Sequence, residues 1–210
     1  MALAISASAI APLVKPDAAL AQYRQRREQR TQQYYVAVPA GTTMQVRLND
    51  AEKVVVMPDE TKDLTLEVAR AVTARNGSVL VPVGSKIVGK LQPARGGSQF
   101  IANEIIVNPG QRQEKRYFLN GRSRVVTRTE RVRKGANTGN ILEGAAIGGA
   151  AAAAIAALTG DRALATEEIL GGAGLGALAG LFLNRRQVDV VVVYPNQDLA
   201  VRLDSELALR

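Results

Sequence analysis

The sequence contains no cysteine, no histidine and no tryptophan, and aromatic residues make up only 4% of it. Without thiols or imidazoles, the chain has no disulfide, no thiol nucleophile and no imidazole acid–base catalyst, and most transition-metal sites are excluded. Acidic residues are the scarcer sign: 19 Asp and Glu stand against 27 Lys and Arg, a net charge of +8. That balance suits an anionic partner such as lipid headgroups, acidic polysaccharide or nucleic acid, without choosing among them. What is abundant is small and aliphatic. Hydrophobic residues reach 47% and charged residues only 22%, so the 210 residues can fold around a core as one domain, or one domain with an appendage.

The chain opens on an apolar run, residues 2–14, followed by Ala18-Ala19-Leu20-Ala21-Gln22. Ala19 and Ala21 make the small-x-small pattern that precedes signal-peptide cleavage, so residues 1–21 read as an export signal. The run is too short to span a bilayer. Residues 22–33 hold four Arg and one Glu with no apolar period, which reads as a basic, flexible linker.

Residues 34–210 read as a mainly β domain, a barrel or sandwich interrupted by an inserted Gly/Ala-rich α-helical hairpin at 141–183. Short Val-rich runs recur between turn signals: Tyr35–Val38, Met44–Leu48, Val54–Met57, Val79–Val81, Lys86–Leu91, Ile101–Val107, Arg116–Leu119, Ser123–Thr129, and later Val188–Tyr194 and Leu199–Leu203. Leu64–Arg75 fits a strand or a helix. Asn76-Gly77 and Asn120-Gly121 both lie between strand-like runs, where Asn-Gly favours a tight hairpin.

Of the 43 residues in 141–183, 23 are Gly or Ala. Two uncharged stretches, Gly144–Leu158 and Ile169–Leu183, flank a polar turn carrying Asp161, Arg162, Glu167 and Glu168. Asn140 with Glu143 reads as a capping box for the first stretch, and Gly160 as its stop. Gly172, Gly176 and Gly180 recur every four residues and so share one side of a helix, while Gly144, Gly148 and Ala152 do the same in the first arm. Glycine inside a solvated helix costs about 1 kcal/mol relative to alanine. In a membrane, small residues instead let backbones approach closely. A buried hairpin in a soluble fold, two helices in an inner or thylakoid membrane, and a hairpin that several copies arrange side by side through a thin membrane compete here. The third is favoured, with those six residues as the helix-packing and oligomer interface.

The segment from Arg112 to Lys134 carries nine cations and two acids, +7 in 23 residues. Arg116, Arg122, Arg124, Arg128, Arg131 and Arg133 are its candidate anion-binding residues. Arg122, Arg124 and Arg128 share parity and would line one face of a strand. That face reads either as a surface for anionic headgroups or acidic polymer, or as a solvated face that discourages aggregation. Direct binding of nucleic acid is the least favoured use.

No catalytic set emerges. Asp59 and Glu60 are adjacent beside a turn and do not oppose each other. Gly172-x-Gly174-x-Gly176 has no preceding strand and fits no dinucleotide loop. Ser85 and Lys86 point to opposite faces of a strand. The chain therefore reads as a non-enzyme with no cofactor or metal.

Val38-Pro39-Ala40-Gly41-Thr42, the strand Met44–Leu48, the run Val81-Pro82-Val83-Gly84-Ser85-Lys86 through Leu91, and the late Val190–Tyr194 with Asn196-Gln197-Asp198-Leu199 resemble the TrbI-like conjugal transfer family. The resemblance implies a β domain of the outer-membrane core of a type IV secretion system, in which copies form a ring and inserted helical hairpins cross the outer membrane. The glycine spacing is also similar to that of bacterial envelope proteins with glycine-zipper segments. What the resemblance implies is an exported protein of the periplasm and outer membrane, a homo-oligomer whose partners are membrane lipid and other envelope or secretion subunits.

Overall fold

The computed structural model describes residues 36–135, 138–160 and 185–209. The expected export signal at 1–21, the linker at 22–33 and the second hairpin arm with Gly172, Gly176 and Gly180 lie outside the described residues.

The chain is mainly β. The strands are β1 (Val36–Val38), β2 (Thr43–Met44), β3 (Val46–Arg47), β4 (Lys53–Val56), β5 (Lys62–Val68), β6 (Val72–Thr73), β7 (Val79–Val81), β8 (Lys86–Ala94), β9 (Gly97–Val107), β10 (Lys115–Val126) and β11 (Thr129–Arg133). After helix α1 (Gly139–Leu142) come β12 (Ala145–Ile147), α2 (Gly149–Thr159), β13 (Gln187–Val193), α3 (Pro195–Asp198), β14 (Val201–Leu203) and β15 (Leu207–Leu209).

One sheet runs β2-β14-β10-β9-β8-β5-β3. Its two ends are the same stretch of chain, because only Gln45 separates β2 from β3. Thr43 and Met44 pair with β14 on one side, and Val46 and Arg47 pair with β5 on the other. This nearly closes the sheet into a barrel. Its interior is filled by inward-facing residues of alternating strands, among them Met44, Leu66, Ile87, Leu91, Phe100 and Leu119. Phe100 lies against Gly89, where a Cβ would fall 2.6 Å from the ring and 2.2 Å from the Ile101 carbonyl oxygen. Only glycine lets the ring and the neighbouring backbone approach so closely.

A second sheet, β11-β13-β4-β12, lies between the barrel and helix α2. Val191 and Val193 of β13 join the barrel core, while Val188, Val190 and Val192 join a second core with Ile155 and Leu158. In β4, Val54 and Val56 face the barrel and Val55 faces the helix side. Val54–Val56 of β4 and Val190–Val193 of β13 are covered on both faces, which is why these stretches read as unbroken valine, whereas the start of β13, with exposed Gln187 and Asp189, alternates.

The turns follow the sequence in part. Asn76-Gly77 lies in the β6–β7 hairpin, with Gly77 at φ +83°. Leu64–Val68 is strand, within β5. The expected hairpin at Asn120-Gly121 is absent: both residues lie inside β10, at a register shift between Phe118 and Gly121. Here Gly121 pairs with Leu203, and a Cβ would meet the Arg202 carbonyl oxygen at 2.9 Å. The glycine serves a close strand crossing and a bulge, so pairing with β14 overrides the local turn preference.

The first arm of the expected hairpin is also corrected. Gly144 is not helical but sits at φ +65°, and its carbonyl accepts the Glu52 N–H at 2.8 Å. The next three residues add to β4 as a parallel strand, β12. Gly148 donates its N–H to the Val55 carbonyl at 2.7 Å and is the N-cap of α2. Asn140 falls inside α1, which has Thr138 as its N-cap, so it does not occupy the N-cap position expected for the first stretch. Gly160 does end the helix, in the left-handed conformation with its N–H on the Ala156 carbonyl. Ala151, Ala152, Ala154 and Ile155 of α2 are buried among residues of the chain's own second core. Gly144, Gly148 and Ala152 therefore do not form a helical stripe. In this arm only the helix α2 is seen, and it is buried against the chain's own second core.

Candidate anion-binding groove

Strand β10 alternates strictly at its centre. Leu119, Gly121 and Ser123 point inward, while Phe118, Asn120, Arg122 and Arg124 are exposed on the outer face. Ser123 fixes this stretch: its hydroxyl accepts the Phe100 N–H at 3.0 Å and donates to the Arg124 carbonyl at 2.7 Å. Gln99 donates its amide to the Ser123 carbonyl at 2.7 Å. Arg122 and Arg124 are thus held in register by the barrel wall.

The six arginines expected to act together do not form one surface. Arg116 sits at the far end of β10, within 3.3 Å of Glu114 and 3.7 Å of Glu104. Arg128 follows the end of β10, binds Asp198 at 2.9 Å and lies 5.0 Å above the Tyr194 ring. It does not extend the Arg122–Arg124 row, because the strand ends at Val126 and the chain passes to the second sheet. Arg131 and Arg133 are on that sheet, in β11. Arg131 bonds Asp189 at 2.8 Å, and that hydrogen bond raises its already high pKa further. Arg133 has no acidic partner among the described residues.

Arg122 and Arg124 instead meet an arginine far outside the basic run of the sequence, Arg202. It is directly opposite Arg122 in the β10–β14 pairing. The three arginines line an open groove of about 940 Å³ together with Gln45, Asp198 and Asp204. Arg122 bonds Asp204 at 2.8 Å, and Asp198 is held by Arg128 and by the Tyr194 N–H. Both acids of the groove are therefore paired. Arg124 and Arg202 have no acidic partner among the described residues. Part of the signal for Arg202 is local: Val201-Arg202-Leu203 places a cation between two inward-facing apolar residues. Its position beside Arg122 depends on strand pairing, which the local sequence does not reveal.

No protein-family model and no curated protein matches this chain. The groove's chemistry must be read from its own atoms. Guanidinium is a planar donor fork suited to carboxylate or phosphate, and Arg124 and Arg202 present two such forks without acidic partners among the described residues. No group of His, Cys, Asp and Glu among the described residues could hold a metal ion. No helix among them is long and apolar enough to cross a membrane.

The described residues on either side of 161–184 lie close together. The Lys134 N–H donates to the Arg186 carbonyl at 3.0 Å, and the next residue's N–H, that of Gly135, donates to the Leu158 carbonyl at 3.3 Å. The chain thus leaves after α2 and returns before β13 at one edge of the second sheet.

Proposed function

We propose that this chain is a non-enzymatic β-barrel module of the bacterial cell envelope that docks on an acidic polymer through the groove between β10 and β14. The observation that carries the reading is the pair Arg124 and Arg202, two cations without acidic partners among the described residues, in a groove of about 940 Å³ on a rigid barrel wall. The surplus of positive charge supports it by drawing polyanions toward the surface. Cosedimentation with purified cell-wall sacculi tests it. The protein should pellet at low salt and be released as salt screens the contacts. The double variant Arg124→Gln/Arg202→Gln should stay in solution, and retention of that variant on the sacculi would overturn the proposal.

A second reading is favoured by the close ends at Leu158 and Arg186. They support an insertion that projects from one edge of the body, so that residues 161–184, with Gly172, Gly176 and Gly180, enter the outer membrane or a neighbouring copy. In this reading the protein is a homo-oligomeric part of a pore or secretion-like core, as the family resemblance implies. Flotation with lipid vesicles and native mass spectrometry in detergent test it. Gly176→Leu should break the oligomer, and a monomer that never floats would end the idea.

A further inference from the structure

An anion site in the groove leaves open which polymer it holds, and three more observations narrow the choice. The narrower assignment rests on the groove being that site. The first observation is charge density. The groove's lining carries three arginines against two aspartates, and Arg128 neutralises Asp198 from outside it. Two guanidinium groups remain for the ligand, a sparse set of cations that suits widely spaced anions. The second is a like-charge pair. Arg122 and Arg202 are cross-strand partners on one face, an arrangement that is destabilising unless an anion lies between or beside the two. Asp204 answers Arg122 alone. The third is Phe118, which is 80% exposed on the same outward row as Asn120, Arg122 and Arg124. With the register shift between Phe118 and Gly121 bending the strand, the regular rise sets upper limits: its Cα lies within roughly 13 Å of that of Arg122 and within roughly 20 Å of that of Arg124.

We propose that the groove and Phe118 form one continuous site for an acidic glycan in which carboxylated sugars alternate with uncharged ones. One carboxylate lies between the Arg124 and Arg202 guanidinium groups. An uncharged sugar further along lays its apolar C–H face on the Phe118 ring. The neutral groups Thr43, Gln45 and Gln197 line the groove, and Asn120 lies between Arg122 and Phe118 on the strand. Amides and hydroxyls of this kind both donate to and accept from sugar hydroxyls. A polypeptide of acidic residues has no ring for Phe118, and a single-stranded nucleic acid brings a phosphate at every step.

Titration calorimetry on the full chain tests this with four probes: a hyaluronan decasaccharide, which alternates uronic acid with a neutral amino sugar, a neutral chitin oligosaccharide, polyglutamate and single-stranded oligothymidine. The hyaluronan probe should bind most tightly and the chitin probe not at all. Phe118→Ala should weaken hyaluronan binding about ten-fold, Phe118→Tyr should restore it, and Arg124→Gln/Arg202→Gln should abolish it. Phe118 is on the surface, so these variants fold as the parent does. If polyglutamate binds as well as hyaluronan and Phe118→Ala changes nothing, the glycan assignment falls while the acidic-polymer reading stands. If oligothymidine binds best, the ligand is a nucleic acid and the glycan assignment is wrong. If no acidic probe binds, both proposals fall together.

Discussion

The Glu60 carboxylate accepts the backbone N–H of Ala150 at 2.8 Å, across 90 residues of sequence. Its other oxygen accepts the Ala151 N–H at 3.1 Å and the Met57 N–H at 2.9 Å. The first turn of a helix presents N–H groups that lack intrahelical partners and carry partial positive charge, and an anion satisfies both needs. Glu60 is thus the cap of α2, supplied by a loop that follows β4. Beside it the Lys62 ammonium donates to the Ile147 carbonyl at 3.0 Å. The alanine-rich helix is fastened to the body at its start by side chains from far away in the sequence, as well as by burial along its length.

Removing this cap should cost stability. Glu60→Ala leaves the Ala150 and Ala151 N–H groups without an acceptor, at about 2 kcal/mol. For a domain of this size that is roughly 4–8 °C in Tm. Gly148→Ala should act through the same contact, because its Cβ would stand 2.4 Å from a Glu60 oxygen. Thermal unfolding followed by circular dichroism measures both, and a Tm unchanged in Glu60→Ala would show that the cap is dispensable.

Ala152 distinguishes a core helix from a membrane-packing helix. It is 1% exposed and belongs to the cluster with Val55, Ile155, Val190 and Val192. Ala152→Leu inserts three carbons into filled space and should destabilise the monomer by about 1–3 kcal/mol. Urea denaturation in the absence of lipid or detergent reads this directly. A variant with wild-type monomer stability but altered association would return Ala152 to an intersubunit role.

These contacts explain which parts of the fold are legible locally. Strands such as Val79–Val81 and Lys86–Leu91 appear where the valine pattern and its flanking turns place them, because one residue's neighbours suffice to decide strand or loop. Gly144, Gly148 and Ala152 mislead because small residues are selected for unlike reasons: Gly144 by its positive φ, Gly148 by the approach of the Glu60 carboxylate, and Ala152 by the packing of α2 on the chain's own sheet. A helix lying on its own sheet needs a small residue such as Ala152 as much as one lying on another helix in lipid. Glu60, the group that decides between the settings, is too distant in sequence to be connected with Ala150. Asn120-Gly121 misleads for a similar reason: the turn signal is local, while the approach of β14 that requires the glycine is not. In the candidate site, Arg122 and Arg124 are legible from their parity, but Arg202 joins them only through the pairing of β10 with β14.

Two glycines should respond differently to the same substitution. At Gly89 an added methyl group would meet the Ile101 carbonyl oxygen and the Phe100 ring, and backbone must shift. Gly89→Ala should lose about 2 kcal/mol or more through overpacking of the barrel core. At Gly77 nothing lies within 4 Å, and the only penalty is its φ of +83°. Gly77→Ala should therefore cost about 1 kcal/mol. Chemical denaturation of the two variants side by side checks the order, and equal losses would contradict the close packing assigned to Gly89.

The barrel's closing seam should be sensitive to acid. Glu67 on β5 accepts from the Arg47 guanidinium, across the β3–β5 pairing, and from the Asn49 side-chain amide. Chiefly the hydrogen bond from Arg47, with Asn49 and the Arg47 charge adding to it, lowers the Glu67 pKa against an opposing contribution from burial. A carboxyl whose folded pKa lies below its unfolded value binds protons more weakly when folded. Its contribution to stability is therefore complete above the unfolded glutamate value of about 4.3, and it is lost as pH falls through the lower folded value. Glu67→Gln should remove this part of the pH dependence: the stability difference between variant and parent should be largest at neutral pH and shrink as both are taken into acid. Urea midpoints measured from pH 7 down to pH 2 follow the difference. A gap between the two proteins that stays constant across that range would mean that Glu67 does not hold the seam through its charge.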